Sequence, residues 1–450
     1  MYNLNSKFNT FYSDKVILKS AEVKRLRELK KLNLERLKEG LKLYNKENNT
    51  NYKIAETLEQ GSVAMGTVTQ NEENDYDIDV AIVFEKGTIP EGTTATKNII
   101  VNALNKKCIN FKTPPESKTN CVRIVYAEGY HIDFAIYRRF KNDNDDYEYE
   151  HCGSEWRERN PRAITKWFLD SNKEKNYNLR KIVRLLKMFC KSNSSWVMPG
   201  GLIQSVLADE KYIYDSRLDK MFYNILVQIK TRLDNNKEII NPTDSTKSLL
   251  LVSKDDKRIS NLHSRLENSL KKLDVLFSDS CTESDAIKAW SNFFNHEYWD
   301  ELLNESSSRA YSVEKSNSFE FVETEEFIEY LFPVDIKYDI KLDCKVIQDG
   351  FLKHYLSYML QNKILLKPNL KLEFEIRTIN VPKPYDIYWK IRNKGDKAKE
   401  KNCIRGQIIK TNEKFHKEET QFKGEHYVEC YIVKNNVCVA MDRIYVPINI

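Results

Sequence analysis

No stretch of the 450-residue chain approaches twenty consecutive apolar residues, so no segment is expected to span a bilayer. The opening Met1-Tyr2-Asn3-Leu4-Asn5-Ser6-Lys7 lacks the apolar core of a secretory signal. The nine cysteines are odd in number and form no Cys-x-x-Cys pair, which speaks against a disulfide framework and against a zinc ribbon. Strong charge of one sign is missing as well. A net charge of +6 suits a protein that handles phosphates but does not by itself indicate nucleic-acid binding. Acidic and basic residues interleave as on any solvated surface. These absences predict a reduced, cytoplasmic protein without membrane insertion. With 41% hydrophobic and 31% charged residues the chain is ordinary globular material, and it is too long for one core.

Residues 16–46 carry leucines and valine mainly at three- and four-residue spacing between Lys, Arg and Glu, which predicts one long amphipathic helix. From about 55 to 140, apolar β-branched runs such as Val80-Ala81-Ile82-Val83-Phe84 and Val122-Arg123-Ile124-Val125-Tyr126 predict strands. Helical spacing returns from about 155 to 305. A polar stretch from Asn304 then reads as a linker. Beyond it the period becomes two, as in Lys371–Arg377 and much of His426–Val433, with Asn435-Asn436 suited to a tight hairpin turn. The expected architecture is α+β: a spine helix (1–50), a catalytic lobe (51–155), a helical lobe (156–305), a linker (306–317) and a β-sandwich (318–450).

The chemistry concentrates in Gln60-Gly61-Ser62-Val63-Ala64-Met65-Gly66-Thr67 and the following Asn74-Asp75-Tyr76-Asp77-Ile78-Asp79-Val80. On a strand, Asp77 and Asp79 project from one face while Ile78 and Val80 enter the core. Two carboxylates held so close repel each other unless a cation binds between them, and magnesium favours carboxylate and phosphate oxygens. His131-Ile132-Asp133-Phe134 offers a third carboxylate on a later apolar strand. Three such groups could hold two ions that activate a hydroxyl and stabilise a leaving pyrophosphate. Gly61-Ser62 lets backbone N–H groups and a hydroxyl approach a triphosphate, with Gly66 keeping the loop compact. An Asp-x-Asp alone is usually a strand edge, and Gly-Ser alone is usually a turn. Their order and spacing, with Asp133 about fifty residues later, raise the functional reading above that background.

This pattern resembles the polymerase-β-like nucleotidyltransferases, and within them the cGAS/DncV-like enzymes of bacteria (CD-NTases, SMODS). Trp156–Pro161 with Trp167-Phe168 is similar to the family's passage into its helical lobe. Leu179–Lys187 is similar to its helix carrying a lysine to the phosphates, and Met198–Ser205 to the following turn and helix. The resemblance, over about 15–300, implies that Lys187 and Ser205 join Gly61 and Ser62 in binding nucleotide, with Arg184 assisting. It implies magnesium, with manganese as a substitute, at Asp77, Asp79 and Asp133.

The end of the chain resembles the AGS-C domain, a proposed nucleotide sensor, through Tyr388–Ala398, Arg405–Ile408 and Gly424–Val433. There Trp389, Tyr427 and His426 could stack a base while Arg405 and Lys390 meet phosphate; the alternative is that Trp389 and Tyr427 are core residues of the sandwich and Arg405 sits in a structural turn. The resemblance implies synthesis of a cyclic di- or oligonucleotide signal from nucleoside triphosphates in anti-phage defence. A membrane effector of the SLATT type is implied as an operon-linked partner. Synthesis of a linear oligonucleotide, transfer to a tRNA or protein hydroxyl, and a non-catalytic nucleotide sensor stay open as alternatives.

Overall fold

The computed structural model describes residues 1–70, 75–109, 111–309, 326–348, 351–367, 370–393, 405–420 and 424–448. Asn74, residues 310–317 of the expected 306–317 linker, and Lys394–Ala398 of the C-terminal motif lie outside the described residues. The chain divides into two compact units, Met1–Glu320 and Phe321–Ile450.

The first unit opens with α1 (Asn5–Phe11), a π-helical turn (Tyr12–Val16) and α2 (Ser20–Asn48). The N-terminal segment is therefore not one spine helix from 1 to 50. Its aromatic residues decide where it goes. Phe8 packs edge-on against Trp290 with centroids 4.6 Å apart, and Phe11 lies 4.9 Å from Phe294. Residues 1–16 thereby join the core of the helical region, while α2 buries Leu26, Leu29, Leu37 and Leu41 on a separate core.

That second core belongs to a sheet built from β1 (Glu56–Gln60), a single helical turn α3 (Gly61–Ala64), β2 (Tyr76–Glu85), α4 (Thr93–Asn105), β3 (Glu116–Ser117), β4 (Val122–Val125), β5 (Tyr130–Lys141), β6 (Tyr147–Cys152) and β7 (Trp156–Glu158). The strand order is β1-β2-β5-β4-β3, with β6 on the far half of β5 and β7 on β6. β2 and β5 run parallel, and their neighbours run antiparallel to them. The sheet continues through β7, so the helical region starts at α5 (Ala163–Glu174) rather than at 156. It continues with α6 (Asn178–Lys191), α7 (Gly201–Glu210), α8 (Leu218–Asn235), the hairpin β8 (Ile240–Asn241) and β9 (Asp244–Ser248), α9 (Ser253–Lys271), α10 (Glu283–Phe294) and α11 (Glu297–Arg309). α11 runs through the residues from Asn304 that read as linker. Among the described residues, no helix is long and apolar enough to cross a membrane.

The second unit is a sandwich of two antiparallel sheets, entered through α12 (Ile328–Leu331). Its elements are β10 (Ile340–Gln348), β11 (Phe351–Tyr355), α13 (Leu356–Gln361), β12 (Lys371–Ile379), β13 (Asp386–Arg392), β14 (Ile408–Lys410), β15 (Phe415–Glu419), β16 (Gly424–Lys434) and β17 (Val437–Ile448). The sheets are ordered β11-β10-β12-β15 and β14-β13-β16-β17. Leu342, Val346 and Phe374 of one meet Trp389, Cys430, Ile432 and Ala440 of the other. Asn435 and Asn436 turn β16 into β17 with φ of +51° and +58°, the paired left-handed conformation of a tight hairpin that Asn tolerates.

Candidate active site

One transverse row of the first sheet holds four polar side chains. Gln60 of β1 pairs in register with Asp79 of β2, Asp79 with Asp133 of β5, and Asp133 with Arg123 of β4. Alternation along β2 sends Ile78 and Val80 into the core, 0% and 1% exposed, and leaves Asp77 and Asp79 on the opposite face. Asp77, Asp79 and Asp133 each present a carboxylate oxygen within 4.8 Å of the others. Asp77 is the most exposed of the three and Asp133 is buried. Asp133 accepts a bidentate pair from Arg123, with Nε–Oδ1 at 2.8 Å and Nη2–Oδ2 at 2.6 Å.

The Gly61-Ser62 turn lies directly beside this row. Gly61 adopts φ +66°, and a Cβ there would fall 1.9 Å from Asp79 Oδ2. Any side chain here would have to displace Asp79 and would strain the backbone. The Ser62 carbonyl accepts from the Thr67 N–H at 2.8 Å, and Gly66 at φ +63° closes the loop. Gln60 donates through Nε2 to the Pro161 carbonyl, tying the turn to the passage into the helical region.

Helix α6 reaches the same loop. Arg180 Nε donates to the Met65 carbonyl at 2.9 Å, and Lys187 Nζ to the Thr67 carbonyl and hydroxyl at 3.0 and 3.1 Å. Seven residues apart, the two cations share one helix face. Gly201 clears the path of Lys187, since a Cβ there would meet Cε at 2.9 Å. Two expectations need correction. Ser205 is fully buried and its hydroxyl donates to the Gly201 carbonyl one turn back, which is not the phosphate contact anticipated for it. Arg184 is buried and donates to the Tyr12 hydroxyl at 2.9 Å, so it anchors the N-terminal segment.

Electrostatics set this cluster apart. Burial pushes the Asp79 carboxyl up to about 7, with Asp77 and Asp133 adding repulsion against the relief from Arg123 and Arg159. Burial and the nearby Lys191 push the Lys187 ammonium down to about 8, although Asp77 pulls the other way. The donors at the triad are all carboxylate oxygens, crowded enough that one binds a proton near neutrality without a cation. Such a set fits hard divalent ions such as magnesium. Arg123 and Arg180 escaped the sequence reading. A lone arginine on the polar face of the apolar run Val122–Val125 was the available signal for the first.

In the sandwich, Trp389 is fully buried with its Nε1 donating to the Glu413 carbonyl at 2.9 Å, so it is a core residue and not a stacking platform. Tyr427 is buried against Arg443, 4.0 Å from the guanidinium, and His426 is buried opposite Val446. Lys390, 1% exposed, sits 3.3 Å from Glu429. Arg405 is the exposed one, paired through Nη1 with both Glu418 oxygens at 2.9 Å.

The mixed sheet with its acidic row and helical companion defines a nucleotidyltransferase. Residues 55–137 match the family described as Cyclic GMP-AMP synthase DncV-like, nucleotidyltransferase domain. Residues 322–449 match the Adenylyl/Guanylyl and SMODS C-terminal sensor domain. A cyclic GMP-AMP synthase of Escherichia albertii is 23% identical over 345 residues, covering 74% of this chain and 69% of the relative. The fold matches the Vibrio cholerae di-nucleotide cyclase DncV solved with ATP and GTP. That match has a TM-score of 0.54 and 15% identity, over 67% of this chain and 98% of that one. The same enzyme solved with a linear intermediate gives a TM-score of 0.53 and 16% identity, over 66% and 96%. The first unit thus carries a nucleotidyltransferase domain of the cGAS/DncV-like type found in CD-NTases, and the second an AGS-C domain.

Proposed function

We propose that this chain joins nucleoside triphosphates into a cyclic di- or oligonucleotide signal in bacterial anti-phage defence, using Asp77, Asp79 and Asp133 as its metal seat. The observation that carries the reading is the convergence of three carboxylates within 4.8 Å beside a turn where Gly61 leaves Asp79 its room. Asp77, Asp79 and Asp133 would hold two magnesium ions, which would supply activation of an acceptor hydroxyl and stabilisation of the departing pyrophosphate. The chain's own groups do the rest. The Gly61-Ser62 turn cradles the triphosphate, and Lys187, already fixed on Thr67, turns its ammonium to the phosphates. Each turn of the reaction forms a bond from the acceptor oxygen to the α-phosphorus and breaks the bond to pyrophosphate.

The enzyme works in the cytoplasm, and its product acts on a membrane effector of the SLATT type. The sandwich is its nucleotide sensor, with the exposed Arg405 and the buried His426 as its candidate contacts. The deciding assay incubates the protein with labelled triphosphates and magnesium or manganese, then separates products before and after phosphatase. A phosphatase-resistant oligonucleotide is expected. A product that loses terminal phosphate means linear synthesis, and label on tRNA or protein means group transfer; either replaces the cyclic reading.

A further inference from the structure

The Arg123–Asp133 pair joins a cation to a carboxylate that the proposed function assigns to metal. Both Asp133 oxygens accept from one guanidinium, at 2.8 and 2.6 Å, and the two residues face each other across β4 and β5. Asp133 is 8% exposed at its side chain, so an unpaired charge there is unfavourable. Arg123, at 30%, keeps a route to solvent. A divalent ion bound at Asp133 would stand within a few ångströms of that guanidinium, and the two would repel each other.

From this geometry we infer that Arg123 is a built-in surrogate for a metal ion. It neutralises Asp133 while the site is empty of cation, keeps the carboxylate in its place, and withdraws when a divalent ion arrives. Arg123 is thus a positioning residue acting through Asp133, and it sets a threshold for metal loading. The inference rests on the proposed metal seat. Its consequence is opposite in sign to that of a simple structural salt bridge. Removing the guanidinium strengthens metal binding, because the ion no longer displaces a competitor, whereas loss of a mere strut loosens Asp133 and weakens it.

Mn2+ binding to the full chain without nucleotide, followed by the electron paramagnetic resonance of free ion, separates these cases. Arg123→Gln is expected to bind Mn2+ roughly tenfold more tightly, the equivalent of about 1.4 kcal/mol. Arg123→Lys, cationic but unable to form the fork, falls between. Affinity unchanged or weakened in folded Arg123→Gln overturns the inference. Asp133→Asn is the control: if it leaves Mn2+ affinity unchanged, the metal seat itself is wrong, whatever Arg123 does. The wild-type protein gives an arm that needs no variant to fold. The Arg123 Nε–H resonance is expected to shift or exchange faster on saturation with Mg2+, and a resonance unmoved while Mg2+ binds also overturns it.

Discussion

A methyl group at Gly61 would lie 1.9 Å from Oδ2 of Asp79, so the turn and the carboxylate occupy one shared volume. Gly61→Ala must move one of them, and its φ of +66° adds strain of about 1–2 kcal/mol. Displacing a metal-binding oxygen by about an ångström costs roughly a hundredfold in rate. The expected outcome is a folded enzyme with turnover down by about that factor. Wild-type turnover would show that Asp79 is not where the chemistry happens.

Lys187 provides a pH signature. Its ammonium, pushed down to about 8 by burial and Lys191, loses its proton in the free enzyme as pH passes that value. Bound phosphate favours the charged form, so nucleotide binding above about pH 8 takes up a proton and KM climbs with pH. Arginine stays protonated throughout, and Lys187→Arg should flatten the climb. Lys187→Ala removes a charge-assisted contact worth about 1.5–3 kcal/mol, or roughly tenfold to a hundredfold in KM. KM profiles from about pH 7 to 9.5 test both variants, and an alanine variant with normal KM would reduce Lys187 to a brace for Thr67.

Asp79 makes the metal-free protein pH-sensitive in a direction that can be fixed. Its folded value of about 7 lies above the ordinary carboxyl value of 3.8, so the folded chain holds more protons between the two. Stability therefore falls as pH rises from about 4 to about 7, then levels off. Asp79→Asn removes the repulsion and should be more stable than wild type in EDTA above pH 7. A tenfold difference in proton affinity between the folded and unfolded chain is worth about 1.4 kcal/mol, and the advantage should shrink towards pH 4. Pyrophosphate release should nevertheless be abolished. Urea titrations across this range decide, and a variant less stable at pH 8 contradicts the repulsion account.

The acidic row was legible because a strand's two-residue period puts Asp77 and Asp79 on one face whatever surrounds them. Asp133 was legible through its apolar neighbours Ile132 and Phe134. The Asn435-Asn436 turn was legible because its chemistry is local. What escaped was set by partners distant in sequence. Phe8 and Phe11 leave the spine for Trp290 and Phe294, nearly the length of the first unit away. Ser205 has the right residue type on the right helix, but packing turned its hydroxyl inward. Arg123 reads as a half-buried strand residue until β5 is laid beside it. The same holds for Trp389, buried between the two sheets, and for Lys390, buried on the other face of β13 against Glu429 and Phe327.

The sandwich holds a buried charge network of its own. Glu429, 2% exposed, accepts from Arg443 at 2.5 and 2.8 Å and from the Tyr431 hydroxyl at 2.7 Å, with Lys390 at 3.3 Å. Burial alone would push its carboxyl up, but Lys390 and Arg443 outweigh it and hold the group below its ordinary 4.5. A depressed carboxylate contributes stability that is present above 4.5 and lost as pH falls through the folded value. Glu429→Gln leaves buried cations without their counter-charge, a change worth about 3–5 kcal/mol. Adding Lys390→Met removes one stranded cation and should restore part of the loss. Hydrogen exchange at neutral pH should show faster exchange in β13, β16 and β17 of the single variant and partial recovery in the double. A single variant with wild-type protection would mean that the Glu429 network is dispensable, and the sandwich would then owe its stability to the Trp389–Ile432 core alone.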